Sequence, residues 1–331
     1  MDDPALLDVL VSAVIAKAQA RERRGPTVAA FLETWMAERV EPECAWRTAR
    51  GRRYAIDNHL APGLGAIPLE ELTSEDIDRL GARMRRTMQA TTVNAQLGVL
   101  RACLRYAEER HQLSRAPRVR MLPTEERDPD WLTEEARDAL LGAASGWLRA
   151  AVALGALAGL RVSEILALEW RDVRWGSRSL HICRGVKTRR PRTVPMCSRL
   201  HEELQAWRHL RGPRVICYDD GARVSHSIAW RRLRDLAAAE QVRTVEGVLL
   251  CSGGGKGWHV LRHTFASHLV QRGVSLYEVR DLLGHRAIRH TEVYAHLSPA
   301  RLVDAVGTLD VPSLSPDREK RSVARRRSRK D

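Results

Sequence analysis

Five reactive side chains in this sequence sit where apolar or small residues would be expected. Arg161 follows the run Leu154-Gly155-Ala156-Leu157-Ala158-Gly159-Leu160 and precedes Val162-Ser163-Glu164-Ile165-Leu166. A guanidinium is costly to bury unpaired, so Arg161 needs a partner, and Glu164 on the next turn is the plain one. His259 and Arg262, three apart, share a helix face beside Val260, Leu261, Phe265 and Leu269. Leu282-Leu283-Gly284-His285 reads as a helix end, with Gly284 suited to a left-handed cap and His285 just beyond it. Tyr294 follows nine residues later, between Thr291 and His296. Singly, each has a structural reading: a capping residue, a core histidine, a half-buried tyrosine. As chemistry, forked guanidinia suit a phosphate, imidazoles move protons and a phenol is a nucleophile.

Two other patterns fail on their details. Ser252-Gly253-Gly254-Gly255-Lys256-Gly257 has the look of a phosphate loop, but Leu250 stands where a glycine belongs and Gly257 where a hydroxyl would hold magnesium. It reads as a flexible connection. His259 and His263 have the i, i+4 spacing of two zinc ligands, yet Val260 replaces the general-base glutamate of a zinc protease. No metal or cofactor is expected.

Composition bounds the partner. The 331 residues carry 55 basic and 41 acidic side chains, a formal charge of +14 that favours a polyanion. Only five of the basic residues are lysines (17, 187, 256, 320 and 330), so a lysine needed for chemistry comes from a short roll. Apolar residues at 44% and charged residues at 29% are ordinary for a soluble chain. The most apolar stretch, 148–168, still contains Arg149, Arg161, Ser163 and Glu164, so no transmembrane helix is expected. The Met1-Asp2-Asp3 start is unlike a secretory signal, and the six cysteines form no CxxC pair; reduced thiols in a cytoplasm, near the nucleoid, are expected.

The elements that must position those residues divide the chain. Residues 1–26 form an N-terminal extension, with a helix over Pro4–Arg23 carrying the stripe Leu6, Leu7, Leu10, Val14 and Ile15. Residues 27–113 are helical throughout, with stops expected at Pro42, at Ala61-Pro62-Gly63 and near Gly81, and a helix start at Thr73-Ser74-Glu75-Asp76. Pro117, Pro123 and Pro129 mark a linker over 114–130. Residues 131–309 form a second, mostly helical domain. Two short strands, Ser179–Cys183 and Arg192–Met196, flank a basic turn over Arg184–Pro191. In the tail at 310–331, Asp317–Asp331 holds eight basic and three acidic residues and should stay disordered until an anion orders it.

Taken in order, an arginine, a lysine in a hairpin turn, His-x-x-Arg, Gly-His and a tyrosine resemble the signature of the tyrosine recombinases, the phage integrase family. Ala158-Gly159-Leu160-Arg161-Val162-Ser163-Glu164-Ile165-Leu166 is similar to the family's first arginine box. His259-Val260-Leu261-Arg262-His263-Thr264-Phe265 is similar to its second, Leu282-Leu283-Gly284-His285 to its third, and Thr291-Glu292-Val293-Tyr294-Ala295-His296 to its nucleophile segment. The resemblance covers nearly the whole chain and implies a mainly α fold: a helical, SAM-like core-binding domain, then an α+β catalytic domain with a small antiparallel sheet.

The resemblance also implies roles. Tyr294 would attack a DNA phosphate and form a 3′-phosphotyrosine, keeping the bond energy so that rejoining needs no ATP. Arg161 and Arg262 would clamp the non-bridging oxygens in place of a metal ion. Lys187, in the hairpin, would protonate the departing 5′ oxygen, while His259 and His285 would hydrogen-bond the phosphate and assist proton transfer from Tyr294. Glu164 would orient Arg161. The arginine-rich turn Thr188-Arg189-Arg190-Pro191-Arg192 blurs the register of Lys187. Expected partners are double-stranded DNA, gripped by arginines of both domains, three further copies in a tetramer on two sites with Ser298–Leu309 as the docking helix, and accessory DNA-bending or directionality proteins. An integrase of a phage or mobile element is the leading function. Its rivals are an Xer-type dimer-resolution enzyme, an idle DNA-binding relative of the same fold and a type IB topoisomerase.

Overall fold

In a computed structural model, residues 25–124, 128–185, 191–252 and 257–298 are described. The N-terminal helix over 4–23, Lys187, Lys256, the docking segment from 299 onward and the basic tail lie outside them. The chain divides into two compact units that meet between Glu126 and Arg127.

In the first unit, α1 spans Val28–Trp35, α2 Trp46–Ala55, α3 Ser74–Arg85 and α4 Ala90–Glu109. The helix starts follow side-chain chemistry. Thr27 accepts from the Ala30 amide at 3.3 Å, and Thr73 and Asp76 form a reciprocal capping box at the head of α3. The expected stops at Pro42 and Pro62 are not stops. Each proline sits in the first turn of a short helical segment, Glu41–Glu43 or Ala61–Leu64, entered from a π-turn. There the Glu41 amide bonds back to the Met36 carbonyl and the Ala61 amide to that of Ile56. The wider turn makes room for a ring that would collide with the carbonyl four residues back, and the missing N–H is lost where the register has already changed.

Gly81 is not a stop either. It lies inside α3, where a Cβ would meet Leu97 Cδ1 at 3.7 Å. A mid-helix glycine costs about 1 kcal/mol against alanine, less than burial of Ile77, Leu80 and Met84 on the same helix returns. The core of this unit gathers Phe31, Leu32, Trp35, Ile56, Leu60, Leu97 and Leu104.

The second unit begins with α5 (Glu134–Ala143), capped by Thr133, then α6 (Gly146–Ala158) and α7 (Val162–Ala167). Three strands follow: β1 (Val173–Arg174), β2 (Ser179–Ile182) and β3 (Arg192–Pro195). They form one antiparallel sheet in the order β1-β2-β3, with Ser179 opposite Pro195 and Ile182 opposite Arg192. Both expected strands are present, each one residue shorter; β1, at two residues, is too short to carry a period. Helices α8 (Ser198–Trp207), α9 (His226–Ala239), α10 (Gly257–Gln271), α11 (Leu276–Leu283) and α12 (Arg289–Glu292) complete the unit.

Helix α6 is the centre of this core, with Ala150 through Ala156 all buried. Helix α10 packs directly on it: a Cβ on Gly155 would stand only 3.2 Å from Leu261 Cβ, so the glycine sets how near the two helices lie. The architecture is thus mainly α, a helical unit followed by a helical unit carrying one small antiparallel sheet. No helix among the described residues is long and apolar enough to cross a membrane.

Candidate active site

Arg161 is the N-cap of α7, and Glu164 reaches back to it. One Glu164 oxygen accepts from the Arg161 amide at 3.0 Å and the other from its guanidinium at 3.0 Å. The same carboxylate also takes a fork from Arg192 at the head of β3, at 3.0 and 2.8 Å. Arg192 donates its Nε to the Leu282 carbonyl at 2.8 Å, tying the sheet to the end of α11. Glu164 is 1% exposed. Burial alone would raise its pKa, but the hydrogen bonds and charge of Arg192, together with Arg161, hold the carboxyl below its usual value. The plain partner of Arg161 is present, and it is shared.

Arg262, on α10 and 2% exposed, is held differently. Its two terminal nitrogens donate to the carbonyls of Gly159 and Leu283, each at 2.6 Å. These carbonyls belong to the C-terminal ends of α6 and α11, where helix dipoles are negative and carbonyls lack intrahelical partners. Both helices close on left-handed glycines, Gly159 at φ +64° and Gly284 at φ +65°. Side chains are excluded at both. A Cβ on Gly159 would lie 2.5 Å from Phe265 Cδ1, and one on Gly284 would lie 2.8 Å from Arg192 Cδ. Burial first, then the Arg161 charge, draws the Arg262 pKa down to about 9. Glu164 thus bonds two guanidinia and acts by charge on a third, that of Arg262.

The nucleophile candidate lies beside them. Tyr294 is 2% exposed, packed with Ala266, Val270, Val279 and Leu283, and burial pushes its phenol up to about 12, partly offset by the Arg262 charge. Its hydroxyl lies 2.6 Å from His263 Nδ1. The His263 ring stands edge-on to that of His259, centroids 4.8 Å apart. His259, exposed at the surface, is shifted downward by desolvation first and then by Arg262 and Arg161. His285 sits past Gly284, its Nδ1 2.9 Å from the hydroxyl of fully buried Thr291. Burial, then Arg262 and Arg161, draws His285 down to about 3, so it is neutral at pH 7. The Tyr294 amide bonds to the Thr291 carbonyl at 3.0 Å, so one threonine anchors both His285 and the tyrosine.

Five of the six residues singled out in the sequence, Arg161, His259, Arg262, His285 and Tyr294, fall in this neighbourhood; Lys187 lies outside the described residues. The histidine on the Tyr294 hydroxyl is His263. The i, i+4 pair His259 and His263 was read only against zinc, and 31 residues of chain separate His263 from Tyr294. Arg192 is the second residue not foreseen. Its run of arginines was visible, but only strand pairing lays it on Glu164. Among the described residues no cluster of His, Cys, Asp or Glu is placed to hold a metal ion. All six cysteines are free.

Comparison with known proteins finds relatives of this chain. The chain matches the phage integrase family over residues 130–301 and the N-terminal SAM-like domain of phage integrases over 27–83. It is 29% identical over 263 residues to the tyrosine recombinase XerC of Mycobacterium sp. (strain KMS), spanning 75% of this chain and 85% of that one. It is 28% identical over 226 residues to a tyrosine recombinase of Thermosipho africanus, 66% of this chain and 76% of that one. The fold superposes on the Tn1549 transposon integrase in complex with a circular intermediate DNA, with a TM-score of 0.72 at 17% identity over 86% of this chain and 99% of the other. A lambda integrase tetramer bound to a Holliday junction gives 0.67 at 19% identity over 84% and 79%. The chain belongs to the phage integrase family, the tyrosine recombinases, enzymes that break and rejoin DNA.

Proposed function

We propose that this protein is a site-specific recombinase that cuts and rejoins duplex DNA through a 3′-phosphotyrosine at Tyr294, without ATP, in the service of a mobile element. The observation that carries the reading is charge. Arg161, Arg192 and Arg262 lie about one carboxylate, Glu164, beside a buried tyrosine, and burial first, then the Arg161 charge, lowers the Arg262 pKa. A phosphodiester entering this site supplies the missing negative charge. Arg161, with its side chain 21% exposed, meets it first. Arg262 keeps its Nε–H and one proton on each terminal nitrogen for the second non-bridging oxygen, since only one donor of each terminal nitrogen is committed to a carbonyl.

As Tyr294 Oη bonds to phosphorus, the bond to the 5′ oxygen breaks and that oxygen takes a proton, which Lys187 supplies in this reading. Neutral His285 donates one further hydrogen bond from Nε2 when Thr291 donates to its Nδ1. The two compact units act as separate folded domains joined through 114–130, and both contact DNA. The tetramer assembled on two sites follows the lambda integrase precedent.

The transposon integrase likeness favours the mobile-element role, while the XerC relatives support chromosome or plasmid dimer resolution as the second reading. A nicked suicide duplex carrying the cognate site, sought in the DNA flanking the gene, tests the proposal. The wild-type chain should trap a covalent DNA adduct that Tyr294→Phe does not form. An adduct surviving in Tyr294→Phe removes the nucleophile. A 5′-bridging sulfur substrate, which needs no acid, should restore cleavage to Lys187→Ala; failure to do so reassigns the acid.

A further inference from the structure

We infer that His263 is the base that takes the phenolic proton of Tyr294 during cleavage and returns it on rejoining. The inference rests on the recombinase reading above and identifies a catalytic residue for it. Its ground is contact: His263 Nδ1 is 2.6 Å from Tyr294 Oη, a short hydrogen bond, and it is the histidine within reach of that oxygen among the described residues.

Position and environment both fit the task. His263 follows Arg262 on α10, so the helix that seats the guanidinium also sets the imidazole, and the T-shaped packing against His259 fixes the plane of its ring. Tyr294 is held from the other side by the Thr291 carbonyl and by Val279 and Leu283. Beside the pair stands His259 on the same helix, and the Arg262 charge acts on the tyrosine. A phenol pushed up to about 12 is almost wholly protonated at neutral pH, so attack on phosphorus needs an acceptor in place. His285 Nδ1 is engaged by Thr291, and the contact of His259 is with the His263 ring.

The proton balance is complete. The Oη–H bond breaks and its proton passes to His263 Nδ1 while the Oη–P bond forms and the P–O5′ bond breaks. O5′ takes a different proton from the acid on the leaving-group side. Rejoining reverses this: the 5′ hydroxyl attacks, Tyr294 leaves, and the imidazolium returns the proton to Oη. Nδ1 must enter as an acceptor, so the resting ring carries its hydrogen on Nε2.

Single-turnover adduct formation on the nicked suicide duplex tests this, with wild type, His263→Gln, His263→Ala and Tyr294→Phe as full-length chains. Glutamine can hold the phenol by a hydrogen bond but cannot accept its proton. The expected result is a loss of about 10²–10⁴-fold in His263→Gln at neutral pH, the usual worth of a positioned base. Its rate should then climb about tenfold per pH unit as phenolate accumulates, while the wild-type rate levels off. Added imidazole should speed His263→Ala, which keeps the measurement informative where the glutamine disturbs packing. His263→Gln within about threefold of wild type, or slowed with a profile parallel to wild type and no imidazole rescue of His263→Ala, overturns the inference. The two readings separate cleanly. An adduct in wild type that is absent in Tyr294→Phe upholds the recombinase reading whatever His263 does, and no adduct in wild type takes both down.

Discussion

Replacing Glu164 with glutamine should destabilise the second unit by about 3 kcal/mol, because one carboxylate serves two guanidinia. Breaking a buried ion pair by removing one partner costs about 3–5 kcal/mol, since the remaining charge stays desolvated. The geometry places this case near the lower bound. The Arg161 side chain is 21% exposed and recovers hydration, while that of Arg192 is 8% exposed and does not. Glutamine keeps one acceptor but turns an N–H₂ toward donors that currently make 2.8–3.0 Å bonds. Seven of the nine tryptophans lie at position 131 or beyond, so intrinsic fluorescence reports chiefly on this unit. With a urea slope of about 2–3 kcal/mol/M, the midpoint should fall by about 1 M.

Glu164→Met combined with Arg192→Met should cost less than the sum of the two single changes, because both charges leave together. A loss under about 1 kcal/mol in Glu164→Gln, or additivity in the double variant within about 0.5 kcal/mol, refutes the shared-carboxylate argument. The acid side offers a second check. Arg192 and Arg161 keep the folded carboxyl below its usual value, so its contribution is present above the unfolded pKa of about 4.3 and fades as pH falls through the folded one. Glu164→Gln should flatten that limb.

Three further outcomes follow from the same geometry. His285, at about 3 when folded against about 6.5 unfolded, refuses a proton that the unfolded chain accepts, so stability falls as pH drops from about 6.5 toward 3 and is unaffected above; discounted for partial exposure, the loss at pH 5 is about 1–2 kcal/mol, and urea titrations of His285→Gln should show a shallower slope. Gly159→Ala forces a side chain into a left-handed cap and against Phe265, which should cost about 2–4 kcal/mol in urea titration and slow adduct formation, because the Gly159 carbonyl seats Arg262. In the first unit, exposed Arg47 and Arg50 lie on α2, Arg50 over the Trp46 ring at 4.6 Å; alanine at either should lower the slope of log affinity against log salt by about 0.9 in a duplex-binding titration.

Much of the site was legible because it is written in short local runs. An arginine after a glycine-ended apolar helix, a histidine and an arginine one turn apart, and a Gly-His after a helix are each complete within a few residues. The caps at Thr73 and Gly284 were legible for the same reason: their partners lie within three or four positions. The stops expected at Pro42, Pro62 and Gly81 failed because packing outweighed local preference, through a π-turn before each proline and a buried helix face around the glycine.

By itself, then, the sequence determined a basic, mainly helical chain, and which arginines, histidines and tyrosine form the candidate site. Tertiary structure alone decided how they are held. Arg192 reaches Glu164 only through strand pairing, Arg262 lies on the ends of two helices brought together by α10, and His263 meets Tyr294 across 31 residues of chain. Spacing records which face of one helix a side chain takes. It carries no record of which carbonyl, carboxylate or hydroxyl a distant segment will bring against that face, because that is set by the packing of whole elements.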